Sequence, residues 1–138
     1  TSIPAIFAFP IDLEAILINL ISNSVKALES GIPLDKRSIH ITAGYSEHET
    51  MLHIEFSDSG PGISLHRLPH QKKGLEQIFE PFVTASGESG TGMGLAVINK
   101  IIIGLGGKIS AIANGPLGGA SLVIDLPLKI EESESLSI

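Results

Sequence analysis

The 138-residue chain contains no cysteine, which excludes disulfides, thiol catalysis and Cys-based zinc sites and leaves the compartment open. It is also short of basic charge. Nine Lys+Arg against fifteen Asp+Glu give a formal net charge of −6, a balance that argues against a nucleic-acid partner, because such binders carry a basic face. No run of about 18 uncharged apolar residues is present, so no membrane span is expected. There is no basic-then-apolar leader, and the first residue is Thr1 rather than Met, so the chain reads as a piece of a longer protein or a processed form. No internal repeat of roughly 20–50 residues is visible. The string GxxxxGK[ST] is missing, and no GxGxxG stands between a strand and a helix; a P-loop is excluded and a dinucleotide fold disfavoured.

What remains is enough for one domain. Hydrophobic residues make up 43% of the chain, sufficient for a core at this length. Fifteen glycines bunch at 60–62, 87–94, 104–107 and 115–119. Residues 3–9 read as a short strand and 11–29 as a helix, with Pro10 near its start and Asp12 in its first turn. Leu13, Leu17, Leu20, Ile21, Ser24 and Leu28 fall on one arc of that helix, which Ile18 and Val25 widen. Residues 38–45 and 51–57 alternate as strands around a hairpin turn at 46–50. A glycine loop follows at 58–64, then an irregular basic stretch with a short helical turn near 74–79. A second helix is expected at 93–105, and two strands at 108–114 and 120–128 flank the turn GPLGG. This order predicts an α+β fold, a two-layer α/β sandwich with helices on one face of a mixed sheet. The domain is expected to span 1–130. The acidic, Ser-rich tail 131–138 reads as frayed or as a linker.

Three sites carry chemistry. With Asn19 at zero on a helical wheel, Asn23 lies at about 40° and Lys26 at about −20°, so two amides and an ammonium share one stripe. An amide oxygen is a hard ligand suited to Mg²⁺, and a Lys neutralises phosphate as a point charge. A solvated polar stripe would look the same on its own. The second site is Asp58-Ser59-Gly60-Pro61-Gly62-Ile63, directly after a predicted strand. Asp58 can accept a hydrogen bond from an exocyclic amine such as N6 of adenine; the O6 of guanine would meet it as a second acceptor, which selects ATP over GTP. Gly60 and Gly62 let the backbone approach a flat base, although DSG and PG are also ordinary turn strings. The third is Gly90-Thr91-Gly92-Met93-Gly94-Leu95, opening the second helix. Backbone N–H groups there can hold anions, Thr91 adding a hydroxyl; a flexible linker is the alternative.

Taken in this order, ILINLISNSVKAL (16–28), DSGPGI (58–63), IFEPF (78–82) and GTGMGLAV (90–97) resemble the N, G1, F and G2 boxes of the nucleotide-binding domain of histidine kinases. That domain sits within the wider gyrase, Hsp90, histidine kinase and MutL group. LGGKI and GGASLVIDLP match the closing strands, so the resemblance covers about 10–128. The form PFVTASGESGTGMGLAV most resembles sensor kinases of the nitrogen-regulation and oxygen-sensing type. The resemblance implies a Bergerat fold, with a mixed, mostly antiparallel sheet of about five strands covered on one face by about three helices, and ATP between the first helix and a mobile lid.

By position in that pattern, Asn23 ligates Mg²⁺ and Lys26 contacts phosphate. Asp58 binds adenine, and Gly90–Leu95 hold phosphates and anchor the lid. Phe79 and Phe82 pin the lid. Ala27, where many relatives carry Tyr, Gly60, Gly62, Ile63 and Ser121 complete the expected nucleotide site. A lid is expected across about 65–91, glycine-rich and poor in apolar anchors. Within it, Arg67, Lys72 and Lys73 could reach phosphate or an acidic partner, though a solvated loop explains them as well.

In the ATP-hydrolysing cousins the position four before the Mg²⁺ ligand is a Glu that activates water. Here it is Asn19, which has no useful basicity, and Glu14 lies off the stripe. Phosphoryl transfer to a protein is favoured over hydrolysis. The acceptor of such kinases is a His followed by an acid on a separate dimerising helical hairpin. Of His40, His48, His53, His66 and His70 only His48 is followed by an acid, and it sits in a turn; His40 and His53 lie on strands and read as structural. No metal spacing links the five.

The expected function is therefore that of the ATP-binding half of a sensor histidine kinase in a cytoplasmic setting, monomeric by itself. It would partner the dimerisation and histidine-phosphotransfer domain of its parent and, indirectly, a response regulator. A nucleotide hydrolase, a Ser/Thr protein kinase of the same fold and a non-catalytic binding module are the alternatives.

Overall fold

The computed structural model describes residues 10–46, 50–83 and 94–127. Six regular elements follow one another: α1 (Pro10–Glu29), β1 (Ile39–Tyr45), β2 (Met51–Asp58), α2 (Gly94–Gly104), β3 (Lys108–Ile112) and β4 (Ser121–Pro127). Short 3-10 turns lie at Leu34–Lys36 and Leu65–Arg67, and a longer 3-10 stretch covers Gln71–Phe79, broken at Gly74 by a φ of 67°. No helix among the described residues is long and apolar enough to cross a membrane.

The four strands form one sheet in the order β1-β2-β4-β3, and every pairing among them is antiparallel. The expected strand at 3–9 falls outside the described residues. Strand alternation turns Leu52, Ile54 and Phe56 of β2 to one face, where register sets them opposite Leu126, Ile124 and Leu122 of β4. Ile16 and Leu20 of α1 and Ile98 and Ile102 of α2 cover that face, and all these helix residues are buried. Two layers around one apolar core result, as the sequence predicts.

The α1 arc is narrower than the helical wheel suggests. Ile16, Leu20, Ser24 and Leu28 are buried, whereas Leu17, Ile18, Ile21 and Val25 stay at least 41% exposed. One face of a single helix meets the sheet, and the widening residues turn past its edge. α2 ends in a Schellman motif: Gly107 N–H donates to Ile102 C=O and Gly106 N–H to Ile103 C=O, both at 2.9 Å, with Gly106 at φ +81°.

The stretch after the first glycine loop is where the structure departs most from expectation. Residues 65–83 carry more anchors than a mobile lid allows. Leu68, Ile78, Phe79 and Val83 are buried in the core. Gln77, 1% exposed, accepts His70 N–H at 2.9 Å and donates to His70 C=O at 2.7 Å and Gly74 C=O at 2.8 Å. Lys73 of the basic stretch pairs with Glu80 at 3.0 Å. Phe79 is a core residue, but Phe82 is 81% exposed at φ +66°. The remaining part of the expected lid, 84–91, lies outside the described residues.

Candidate functional site

The site forms where α1, the loop after β2 and the β3–β4 turn converge on Asp58. Asp58 ends β2 in phase with Phe56, so its carboxylate points into the helix layer. It is 6% exposed, and a buried carboxylate needs donors. Oδ1 accepts Gly60 N–H at 2.9 Å, and Oδ2 accepts the Ser24 hydroxyl at 3.3 Å. Gly60 has no room for a side chain: a Cβ there would lie 2.9 Å from Asp58 Oδ1 and 3.1 Å from Ala27 Cβ. Gly60 thus sits against both Ala27 and Asp58, the two residues expected with it around a base.

The loop 59–63 is fixed at both ends. Ser59 Oγ donates to Lys36 C=O and accepts Ser38 N–H, each at 2.8 Å. Ile63 N–H donates to Ala113 C=O at 3.0 Å. Gly62, at φ +78°, passes so close to β3 that a Cβ would lie 2.6 Å from Ala113 O. Ile63 packs half-buried against the core. The β3–β4 turn closes the other side: Asp58 N–H donates to Ala120 C=O at 3.0 Å, and Asp58 C=O accepts Gly119 N–H at 3.1 Å.

The second pole lies at the start of α2. Gly94 faces the amide stripe of α1: a Cβ on it would stand 3.2 Å from Asn19 Oδ1 and 3.7 Å from Asn23 Oδ1. Asn19 Nδ2 donates to Ala15 C=O at 2.7 Å, which leaves its oxygen lone pairs toward the helix N-terminus, where backbone N–H groups gather. Lys26 is exposed on the same stripe two turns beyond Asn19, and Leu95 is half-buried against the core. Gly90, Thr91, Gly92 and Met93 lie outside the described residues, so the anion loop itself is represented by Gly94 and Leu95.

The arrangement therefore has a buried acceptor end at Asp58, where β2 ends, and a more open amide-and-cation end at Asn19, Asn23 and Lys26 on α1. The family model described as histidine kinase-, DNA gyrase B- and HSP90-like ATPase matches residues 9–130. The chain belongs to this family. Among its relatives, the signal transduction histidine-protein kinase BaeS of Escherichia coli (strain K12) is 33% identical over 116 residues, 80% of this chain and 22% of BaeS. The catalytic domain of histidine kinase ThkA, solved nucleotide-free, superimposes with a TM-score of 0.67 at 30% identity, covering 89% of this chain and 71% of that one. Full-length ShkA in complex with AMPPNP gives a TM-score of 0.68 at 26% identity, over 93% of this chain and 24% of ShkA. The chain spans about a fifth of BaeS. The two-layer fold expected from the sequence agrees with these likenesses.

One expected site residue does not join. Ser121 is fully buried on the opposite face of the sheet; its hydroxyl donates to Glu55 Oε1 at 2.9 Å and lies 2.9 Å from Ser57 Oγ. Register explains the correction. Ser121 pairs with Ser57, and Ser57 and Asp58, being adjacent on a strand, point to opposite faces. Two residues were not singled out. Ser24 reads in the sequence as part of an apolar arc, and its hydroxyl in an otherwise greasy run was the only signal. Gly119 lies in a turn string, yet a Cβ there would collide with the Asp58 carboxylate and carbonyl. Of the histidines, His53 Nδ1 meets Asp125 Oδ1 at 2.6 Å on the outer face, and His48 is outside the described residues. No group of three His, Asp or Glu among the described residues is placed to hold a metal.

Proposed function

We propose that this chain is the ATP-binding catalytic domain of a sensor histidine kinase, and that it transfers the γ-phosphoryl group of ATP to a His on a dimerisation domain outside this chain. One observation carries the reading: Asp58 at the end of β2, buried and held by two donors, is bonded by Ser24 of α1, the helix that also carries Asn19 and Asn23, whose oxygens face the start of α2. A purine with an exocyclic amine suits the first end, and a chelated polyphosphate suits the second. The AMPPNP complex of ShkA and the kinase relatives support the same reading.

The donor set fits Mg²⁺, a hard cation that binds through few protein oxygens plus water and phosphate. Asn23 would hold it, with Asn19 beside it; when bound, the ion neutralises charge on the phosphates. The protein's own contribution is positioning. Asp58 orients the base, the glycine-rich entry to α2 offers N–H groups to the phosphates, and Lys26 adds a mobile positive charge. Asn19 stands where hydrolysis would need an acid, and its Nδ2 is bonded to Ala15 C=O, so no group on the stripe can take a proton from water. Transfer to an external nucleophile needs positioning and charge neutralisation more than a base supplied from this stripe. The acceptor would come from the parent's dimerisation and histidine-phosphotransfer domain, with a response regulator downstream. The supply of ATP argues for a cytoplasmic setting.

Calorimetry of the chain with ADP, with and without millimolar Mg²⁺, should give saturable heat that strengthens with the cation. Mixing the chain and ATP with a helical-hairpin domain bearing its His should give acid-labile phosphate on that domain. Steady phosphate release without an acceptor would instead indicate a hydrolase, and absence of heat in both titrations would overturn nucleotide binding altogether.

A further inference from the structure

Ser24 lies at the core-facing side of α1, 4% exposed. A hydroxyl so placed costs stability unless it is bonded, and on a helix it has an easy local outlet in the carbonyl four residues back. It uses another. Its hydroxyl crosses to Asp58 Oδ2 at 3.3 Å, 34 residues along the chain. The other oxygen is committed at 2.9 Å to Gly60 N–H, and Gly119 approaches from behind so closely that no side chain fits. A carboxylate has two oxygens and about four lone-pair sites, and two donors of different kinds from two different elements now fix its plane. A carboxylate held by Gly60 alone would still rotate about its own axis.

The geometry points to Ser24 as a positioning residue for purine recognition: it sets the plane of Asp58 so that a free lone pair faces an exocyclic amine. The inference rests on the adenine reading of Asp58 proposed above. It assigns Ser24 to base selectivity, acting through Asp58, and it separates this residue from the apolar neighbours Leu20 and Leu28 on the same side of α1. Removing the hydroxyl should weaken only ligands that bring the amine. Loss of packing would weaken every ligand alike.

The test is a cycle of two proteins and two ligands by calorimetry at fixed Mg²⁺. The ligands are ADP and purine-riboside 5′-diphosphate, which is ADP without its exocyclic amine. Ser24→Ala should weaken ADP by about five- to tenfold and the deaminated ligand by less than about twofold. Equal weakening of both, or of neither, overturns the positioning role while leaving nucleotide binding intact. If the unsubstituted protein binds neither ligand, the adenine reading itself fails. Ser24→Cys, which nearly keeps the volume and weakens the donor, carries the same cycle if the alanine variant loses its cooperative melt; it should show the same split with a smaller ADP loss.

Discussion

Asp58 takes two side-chain bonds and two backbone bonds within one pocket wall, so its charge can be changed with little change in shape. Asp58→Asn should weaken ADP by about 10–100-fold, because a charge-assisted acceptor is lost and an N–H₂ replaces one of the two accepting oxygens. Calorimetry measures the loss, and circular dichroism should show the fold retained. Asn23→Ala makes a different prediction: ADP affinity should cease to respond to Mg²⁺, with the Mg²⁺-free affinity nearly unchanged, as titrations in chelator and in millimolar magnesium would show. Gly119→Ala introduces a methyl group against the Asp58 carboxylate and carbonyl. Overpacking of that kind costs about 1–3 kcal/mol, and both the urea midpoint and ADP affinity should fall.

At the scale of elements, the four described strands and both helices were legible because their signals are local. Period-2 alternation in 51–58 and a 3.6-residue arc in 11–29 are properties of neighbours along the chain. The exposure of Leu17, Ile21 and Val25 was not legible, since a wheel gives directions but not the width of the surface that meets them. The anchoring of 65–83 was hidden for a related reason. Its apolar anchors are sparse, and the residue that ties the stretch together is a glutamine, a type usually solvated. Gln77 makes three hydrogen bonds from a buried position. Gln77→Ala would leave two carbonyls and an N–H without it, a loss of about 2–4 kcal/mol readable as a shifted urea midpoint, with the stretch opening to protease.

Across the whole molecule, the placement of candidate site residues was legible wherever it travels with residue type and local spacing: an Asp at a strand end, amides one turn apart, Gly94 at a helix start. It was illegible where the role is a distance between remote segments. Nothing in GPLGG announces that Gly119 backs onto Asp58, and nothing in SLVIDLP says which way Ser121 faces until the register with β2 is known. The sheet thus divides these polar groups, with Asp58 and the amides of α1 on the helix side and Glu55, Ser57, Ser121, His53 and Asp125 on the other.

The clasp between Asp58 and the β3–β4 turn gives the pocket a built-in reporter. The amide of Gly119 is bonded to the carbonyl of the very residue that would grip the base, so opening that amide to solvent means disturbing the grip. In deuterium labelling, its exchange should slow as ADP is added, in step with occupancy, while exposed amides along the outer edge of β1 keep their pace.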